Sequence, residues 1–416
     1  MDDPIVPQIL VIADDLSGAA DCAVAFRRAG LSSVVLFSGN AVTANPDVLA
    51  LDANSRHLPA PRAAAVHRRL VQRHLTPGTM LYKKIDSTMR GNIAAELAAI
   101  IPIAGMAIVA PAFPDTGRTT WNGRVYVQNV PLEQTEIWRN EKLTGIADIA
   151  AMLGQAGVRT ARAGLDLVRG EPTAFGHALE RLARDGAAAI VCDAETDTDL
   201  GAIAIASARM RGRHFWVGSA GLARHLPAAT GMTAAHSVPA ITLAGPVMVV
   251  VGSLSGVSRA QARHVAAQPD VVAVAVPPEA LRRGNAHPDW QTATAEVAAA
   301  LAHDHDVVVS ISADGSPDLS EGGLLCEALA RLLRPFADRI GGLAATGGDT
   351  ARALLAALGA VGLCLVCEIE PGVVLCTAEG TRPLPVVTKA GAFGTPETLE
   401  HCRAVLRGTA PLPAAT

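Results

Sequence analysis

The chain is short of the groups on which several common functions depend. Its 416 residues include only seven Phe, four Trp and two Tyr, too few for the aromatic platforms on which single-stranded nucleic acid stacks. Positive charge is not in excess: 35 Lys and Arg face 39 Asp and Glu, a net charge of −4. No global basic field exists to draw nucleic acid, which is therefore not an expected partner. No apolar run reaches the roughly 18 residues needed to cross a bilayer. The opening "MDDPIVPQ" is acidic and lacks a secretory signal pattern. No membrane partner is expected, and the location is expected to be cytoplasmic. The seven cysteines are scattered, and an odd count does not suit a disulfide framework. Cys364 and Cys367 form one CxxC with no second pair, inside an apolar, strand-like run. They read as buried structural thiols rather than a metal or redox site. There is no HExxH and no Cys/His cluster with zinc spacing, and "HDHD", His303 to Asp306, reads as a solvated helix end. A GxSxG elbow, a P-loop lysine pattern and a dinucleotide fingerprint are also missing.

What is present is apolar, at half of all residues, enough to fill a large core with Ala, Val and Leu. Short apolar strands alternate with helical stretches. "ILVIAD" reads as a strand, residues 17–29 as a helix closed by Gly30, and "SSVVLF", "VLALDANSR", "TMLYKKID", "MAIVAPAF", "AAIVCDAE" and "HFWVGSAG" as further strands. The alternation restarts with "PVMVVVGSLSG", "VVAVAV", "DVVVSIS" and "GGLAATGGDT". It predicts two α/β domains with mostly parallel sheets and a ligand site in the cleft between them. The first domain is expected over 1–228 and the second over 246–416. A charge-poor linker is expected over 229–245.

In open α/β sheets, ligands bind at the carboxyl ends of strands. Asp14 and Asp15 end the first strand. A buried carboxylate is costly unless paired or in use, and capping the following helix needs only one side chain. Of Asp15 and Ser17, one is therefore read as the cap and the other as functional. "YKKIDSTMRGNI" packs Lys83, Lys84, Asp86, Ser87, Thr88, Arg90 and Asn92 between a strand and a helix. Lys84 and Asp86 fall on one side of the strand end. Cations beside a carboxylate and hydroxyls suit a small polyhydroxy acid, with Lys84 or Arg90 on its carboxylate and Asp86 accepting a hydroxyl proton. Arg56, in "LDANSRHL", is a further carboxylate clamp if it shares that edge. "GRTTWNGRVYV" reads as a β-hairpin turning at Asn122-Gly123, from which Arg118 and Asn122 reach a ligand. In the second domain three glycine turns lead from strand to helix: Gly252-Ser253 with Ser255, Gly347-Gly348 with Asp349-Thr350, and the run from Lys389 to Gly394. Together they suit phosphate oxygens.

Six stretches in this order, "IADDLSGAADCA", "KKIDSTMRGNI", "PAFPDTGRTTWNG", "GSLSG", "ATGGDTARALL" and "TKAGAFG", resemble the four-carbon acid sugar kinase family. The resemblance covers about residues 9–406. It implies an N-terminal sugar-acid-binding domain, a C-terminal nucleotide-binding domain, and ATP-dependent phosphorylation of the acid's terminal hydroxyl, with Mg²⁺ accompanying ATP. It places Asp14, Arg56, Lys84, Ile85, Asp86 and Ser87 around the acid, to which the reading of the residues themselves adds Asp15 and Arg90. It places Ser253, Gly347, Gly348, Asp349, Thr350 and Gly391 around the nucleotide, to which the reading of the glycine turn adds Ser255. Asp86 and Asp14 are the candidate catalytic bases, and no metal ligand is assigned. The "KKIDSTMRGN" form is more similar to members acting on D-threonate than to those acting on 3-oxo-tetronates, with D-erythronate a further alternative. Two other classes compete. A Schiff-base aldolase or dehydratase using Lys83 or Lys84 is disfavoured by the surrounding charge. A sugar-acid sensor would not need the glycine turns. A homodimer is the base-rate expectation.

Overall fold

The computed structural model describes residues 7–37, 45–140, 145–232, 234, 241, 245–253, 255–312, 321–380, 382–391 and 393–412. The chain divides into two compact units, Met1–Ser33 with Ala41–His236, and Val34–Asn40 with Ser237–Thr416.

The first unit is built on seven strands in the order Val48–Asp52, Ile9–Ala13, Met80–Lys84, His214–Gly218, Met106–Ala110, Ala189–Cys192 and Thr160–Ala163. Every pairing among them is parallel. Ile9–Ala13 is buried along its whole length, as a strand covered on both faces must be, which is why it reads as an unbroken apolar run. The register sets Ala13 opposite Asp52 and Ile12 opposite Lys83. The residues that follow these three strands, Asp14, Asn54 to Arg56, and Ile85 to Arg90, therefore leave the sheet at one edge. Helix Leu16–Arg28 packs close beneath that edge, with Leu16 through Arg27 all buried. Its many Ala and Gly residues permit that approach. The hairpin is present: Arg118–Trp121 pairs antiparallel with Arg124–Val127. Its turn residues Asn122 and Gly123 have φ of 51° and 72°, the left-handed pair that a two-residue type I′ turn requires.

The second unit's strands run in the order Val271–Val276, Asp306–Ile311, Val247–Val251, Gly342–Thr346, Leu384–Lys389, Val373–Glu379, Gly362–Glu370 and Ser33–Phe37. The first five are parallel and the last three join antiparallel. The outermost strand is a departure from a contiguous first domain over 1–228, because Val34–Phe37 groups with the second unit. There it pairs with Gly362, Leu363 and Cys364. Gly362 is needed for this contact, since a Cβ there would lie 2.6 Å from the Val35 carbonyl oxygen.

Three further expectations meet the structure here. Asp306 of "HDHD" is not solvated: it is fully buried, bonds Arg403 at 2.6 Å and Arg407 at 2.8 Å, and accepts from the Val247 amide. Its place at the start of a central strand, rather than at the helix end, is the reason. Cys364 and Cys367 are half-buried rather than buried, and all seven thiols are free. Burial and the neighbouring Glu379 push the Cys364 thiol up to about 12, so it is inert. Of the linker expected over 229–245, Ala229 and Thr230 close helix Leu226–Thr230, and most of the rest lies outside the described residues.

Candidate active site

At the edge of the first unit, Asp15 is the N-cap of helix Leu16–Arg28, its Oδ1 accepting from the Gly18 amide at 3.0 Å. Gly18 is required there, because a Cβ would sit 2.5 Å from that oxygen. Asp14 is paired. Its two oxygens accept from Arg56 Nη2 and Nε at 2.9 and 2.8 Å, a bidentate fork. Arg56 Nη1 donates to Asp15 Oδ2 at 2.8 Å. Burial alone would raise the Asp14 carboxyl, but the Arg56 charge and hydrogen bonds outweigh it and hold the group below its usual range.

Asp86, past the strand Met80–Lys84, accepts from the Thr88 amide at 2.7 Å and from the Thr88 hydroxyl. It also accepts from Arg90 Nη2 and Nε at 2.5 and 3.1 Å. Arg56 Nη2 is 3.8 Å away. Burial pushes its carboxyl up, yet Arg90 and Arg56 together bring it far below the ordinary carboxylate value. Asp86 is thus a fixed anion and a weak proton acceptor. Lys84 is buried, and its ammonium donates to the Ile85 carbonyl at 3.0 Å. It makes no ion pair among the described residues, and it lies 3.3 Å from where a Gly18 Cβ would be. Gly91, with φ of +91°, passes so close that a Cβ would lie 2.7 Å from Asp14 Oδ2.

The structure brings Asp14, Asp15, Arg56, Lys84, Asp86 and Arg90 into one cluster, with Ser87 in the turn closed by the Met89 amide on Asp86 O. Ile85 contributes backbone only: its side chain is buried and its amide donates to Gly218 O. Arg56 donates from each of its three nitrogens to Asp14 and Asp15, which uses three of the five N–H groups of a guanidinium. Arg118 feels the charges of Asp86 and Arg90, whereas the Asn122 turn lies beside Asp193.

In the second unit, three neighbouring parallel strands, Val247–Val251, Gly342–Thr346 and Leu384–Lys389, deliver the three glycine turns to one edge. A Cβ on Gly391 would overlap Ser253 Oγ, and one on Gly252 would overlap Thr350 Oγ1. Gly347 adopts φ of +99° as the N-cap of helix Gly348–Ala357, whose first turn carries Asp349. Ser255 caps helix Gly256–Ala266 and donates to Gly391 O at 2.8 Å. Ser258 donates to the same oxygen at 2.7 Å. The backbone-lined edge, two helix N-termini and glycines without room for a side chain form a cradle suited to phosphate oxygens. Lys389 was not singled out as a site residue from the sequence. Its ammonium donates to Ala390 O at 2.9 Å and lies 3.5 Å from Gly391 O. Burial lowers its pKa from 10.5 to about 8. Its signal was its position directly before a glycine turn.

Known proteins match both halves of this arrangement. A family model described as "Sugar-binding N-terminal domain" matches residues 9–226, and one described as "Nucleotide-binding C-terminal domain" matches residues 248–399. A D-threonate kinase of Cupriavidus necator is 45% identical over 94% of this chain and 96% of its own length. A 3-oxo-tetronate kinase of the same organism is 30% identical over 97% of this chain and 98% of its own. A solved Salmonella typhimurium LT2 structure shares the fold with a TM-score of 0.79, at 22% identity, covering 95% of this chain and 98% of that one. A charged cluster on one unit and a glycine cradle on the other thus coincide with a two-domain match over nearly the full length, and the chain belongs to the four-carbon acid sugar kinase family.

Proposed function

We propose that the protein transfers the γ-phosphoryl group of ATP to the 4-hydroxyl of D-threonate, giving 4-phospho-D-threonate and ADP. The observation that carries the choice of acid is the higher identity to the D-threonate kinase, 45% against 30% for the 3-oxo-tetronate kinase. In the first unit, the ionised Asp14, Asp15 and Asp86 accept hydrogen bonds from the acid's hydroxyls. The substrate carboxylate falls to Lys84 and Arg90, which have donors in hand. Lys84 uses one of its three donors, and Arg90 Nη1 makes no bond among the described residues. Arg56 holds Asp14 and Asp15 in place rather than gripping the substrate. In the second unit, Ser253, Ser255, Gly347, Gly348, Asp349, Thr350 and Gly391 receive the nucleotide phosphates, with Lys389 fixing the last turn.

Phosphoryl transfer asks mainly for positioning and charge neutralisation. A carboxylate held far below its usual pKa fits that demand, since Asp86 orients the hydroxyl by accepting its hydrogen bond. As the O–P bond forms and the bond to the ADP oxygen breaks, the hydroxyl proton passes to an oxygen of the transferred phosphoryl group and from there to solvent. Mg²⁺ would accompany ATP and supply charge neutralisation at its phosphates. The described residues contain no cluster of three or more His, Cys, Asp or Glu for a dedicated site, and Asp349 is the carboxylate offered at the cradle. A cytoplasmic homodimer is proposed on base rates; no described helix is long and apolar enough to cross a membrane.

The test is ADP release with Mg-ATP across D- and L-threonate, D- and L-erythronate and the 3-oxo-tetronates. Turnover with D-threonate well above the rest supports the assignment. Turnover with another acid alone overturns the substrate. Acid binding without turnover on any of them would favour a sensor.

A further inference from the structure

We propose that a buried polar network beneath the acid site, formed by Lys83, Glu96, Ser55 and His67, is the positioning device for the Arg56–Asp14 pair and thereby sets affinity for the four-carbon acid. This rests on the function proposed above and concerns four residues that the proposed chemistry does not use.

The four side chains come from four elements: strand Met80–Lys84, helix Ile93–Ala104, helix Ala60–His74 and the turn after strand Val48–Asp52. All are at most 1% exposed. Lys83 Nζ lies 2.9 Å from Glu96 Oε2. The Ser55 hydroxyl donates to Glu96 Oε1 at 3.0 Å. His67 Nε2 lies 2.9 Å from Ser55 Oγ and 3.2 Å from Glu96 Oε1. Burial first, and then the Lys83 charge, lower the His67 pKa. The charges are therefore one ammonium against one carboxylate.

A buried ion pair is commonly no more stabilising than apolar side chains of the same volume, so stability alone is a weak reason for this one. Its connections to the site supply a better one. Ser55 directly precedes Arg56, and the amides of both donate to Asp14 O, at 2.9 and 3.3 Å. Lys83 directly precedes Lys84, and alternation along the strand sends one ammonium to the network and the other to the opposite face. The turn that carries Arg56 is held tightly. Asn54 adopts φ of 47°, with its amide on Asp52 Oδ1 at 2.8 Å, and Asn92 Nδ2 donates to Leu58 O at 2.8 Å and to Ser55 O at 3.3 Å. The Ser55 hydroxyl ties this turn to Glu96. Removing that tie lets the turn shift, and the two-point Arg56–Asp14 contact shifts with it.

Two full-length variants test this, Ser55→Ala and Glu96→Gln, with Kd for D-threonate and for ATP measured separately by titration calorimetry beside KM and kcat. The expected result is a rise in Kd and KM for the acid of about tenfold, the size of coupling usual between groups in contact, with Kd for ATP unchanged. In a double-mutant cycle, the losses from Glu96→Gln and Arg56→Lys should not multiply. Lowered thermal stability with acid affinity intact in Ser55→Ala, which removes one oxygen and keeps the fold the safer of the two, would overturn the proposal. A parent protein that binds no four-carbon acid would overturn the proposed function and this inference with it, whereas a parent that binds while both variants bind equally overturns this inference alone.

Discussion

Asp86 gathers an amide, a hydroxyl and two arginines around one carboxylate. Its low pKa makes a specific statement about rate and pH. The Asp86→Asn variant should lose about 100-fold in kcat with D-threonate, the cost of a misplaced reacting group. In the parent, kcat/KM should show no limb belonging to Asp86 between pH 4 and 7. A limb near pH 4–5 that disappears in Asp86→Asn would instead mark a titrating base. The linkage runs the same way for Asp14 and Asp86. Both folded pKa values lie below those of the unfolded chain, so their stabilisation is present above about pH 3.9 and is lost as pH falls through the folded values. Lys389 has the opposite sign. Its folded pKa of about 8 lies below 10.5, so between those values the unfolded chain holds a proton that the folded protein has released. From this group, stability rises with pH across that window and is penalised below it. Nucleotide affinity should move the other way, weakening as pH passes about 8 and the ammonium releases Ala390 O and Gly391 O. Lys389→Arg, charged throughout, should flatten that dependence. The groups facing Lys389 include Glu370 and Cys402, and Glu370 is itself bonded to His401 at 2.8 Å. A parent-like limb in Lys389→Arg would remove Lys389 as its source.

At the scale of elements, the parallel strands were legible because burial on both faces writes them as plain apolar runs, and their polar ends marked the candidate site. Ile9–Ala13 followed by Asp14 is the clearest case. The last three strands of the second unit were harder. "GLCLVCEIE" and "VVLCTAE" flank a short turn and form an antiparallel pair, but their apolar content does not distinguish antiparallel from parallel pairing. The placement of Val34–Phe37 against Gly362–Cys364 depends on a partner more than 300 residues away, which no local pattern encodes. The glycine turns were legible one at a time; that they meet follows only from the order of the strands that carry them. Gly391 makes this testable. It carries no positive φ, so alanine suits its backbone, but the added Cβ has no room beside Ser253. Gly391→Ala should therefore weaken ATP binding by about tenfold or more, as overpacking displaces the turn. Adding Ser253→Gly should recover part of the loss. D-Threonate affinity, measured by the same calorimetry, should not change.

At the scale of the whole molecule, the anion-binding groups are local, since the net charge of −4 offers no general attraction to an acid or a nucleotide. The charged residues of the acid site were visible in sequence as a dense polar stretch after a strand. Their pairing was not, because Asp14 meets Arg56 across 42 positions and Lys83 meets Glu96 on helix Ile93–Ala104. Arg56 looked like a ligand for the substrate's carboxylate, and its pairing with Asp14 and Asp15 adds a supporting part that the sequence did not show. If each substrate engages its own unit, ligand protection must divide the chain the same way. Bound ligand stabilises the state that binds it, by about 2.7 kcal/mol at a hundredfold excess over Kd, and local opening that breaks the site is suppressed accordingly. Hydrogen exchange followed by mass spectrometry should then show D-threonate slowing amides around Asp14–Gly18, Asn54–Arg56 and Ile85–Asn92. A non-hydrolysable ATP analogue should slow those around Gly252–Ser258, Gly347–Thr350 and Ala390–Gly391. Protection by the acid at the glycine turns, or by the nucleotide at the Asp14 edge, would exchange the roles of the two units and remove the basis for placing the acid on Asp14, Lys84 and Arg90.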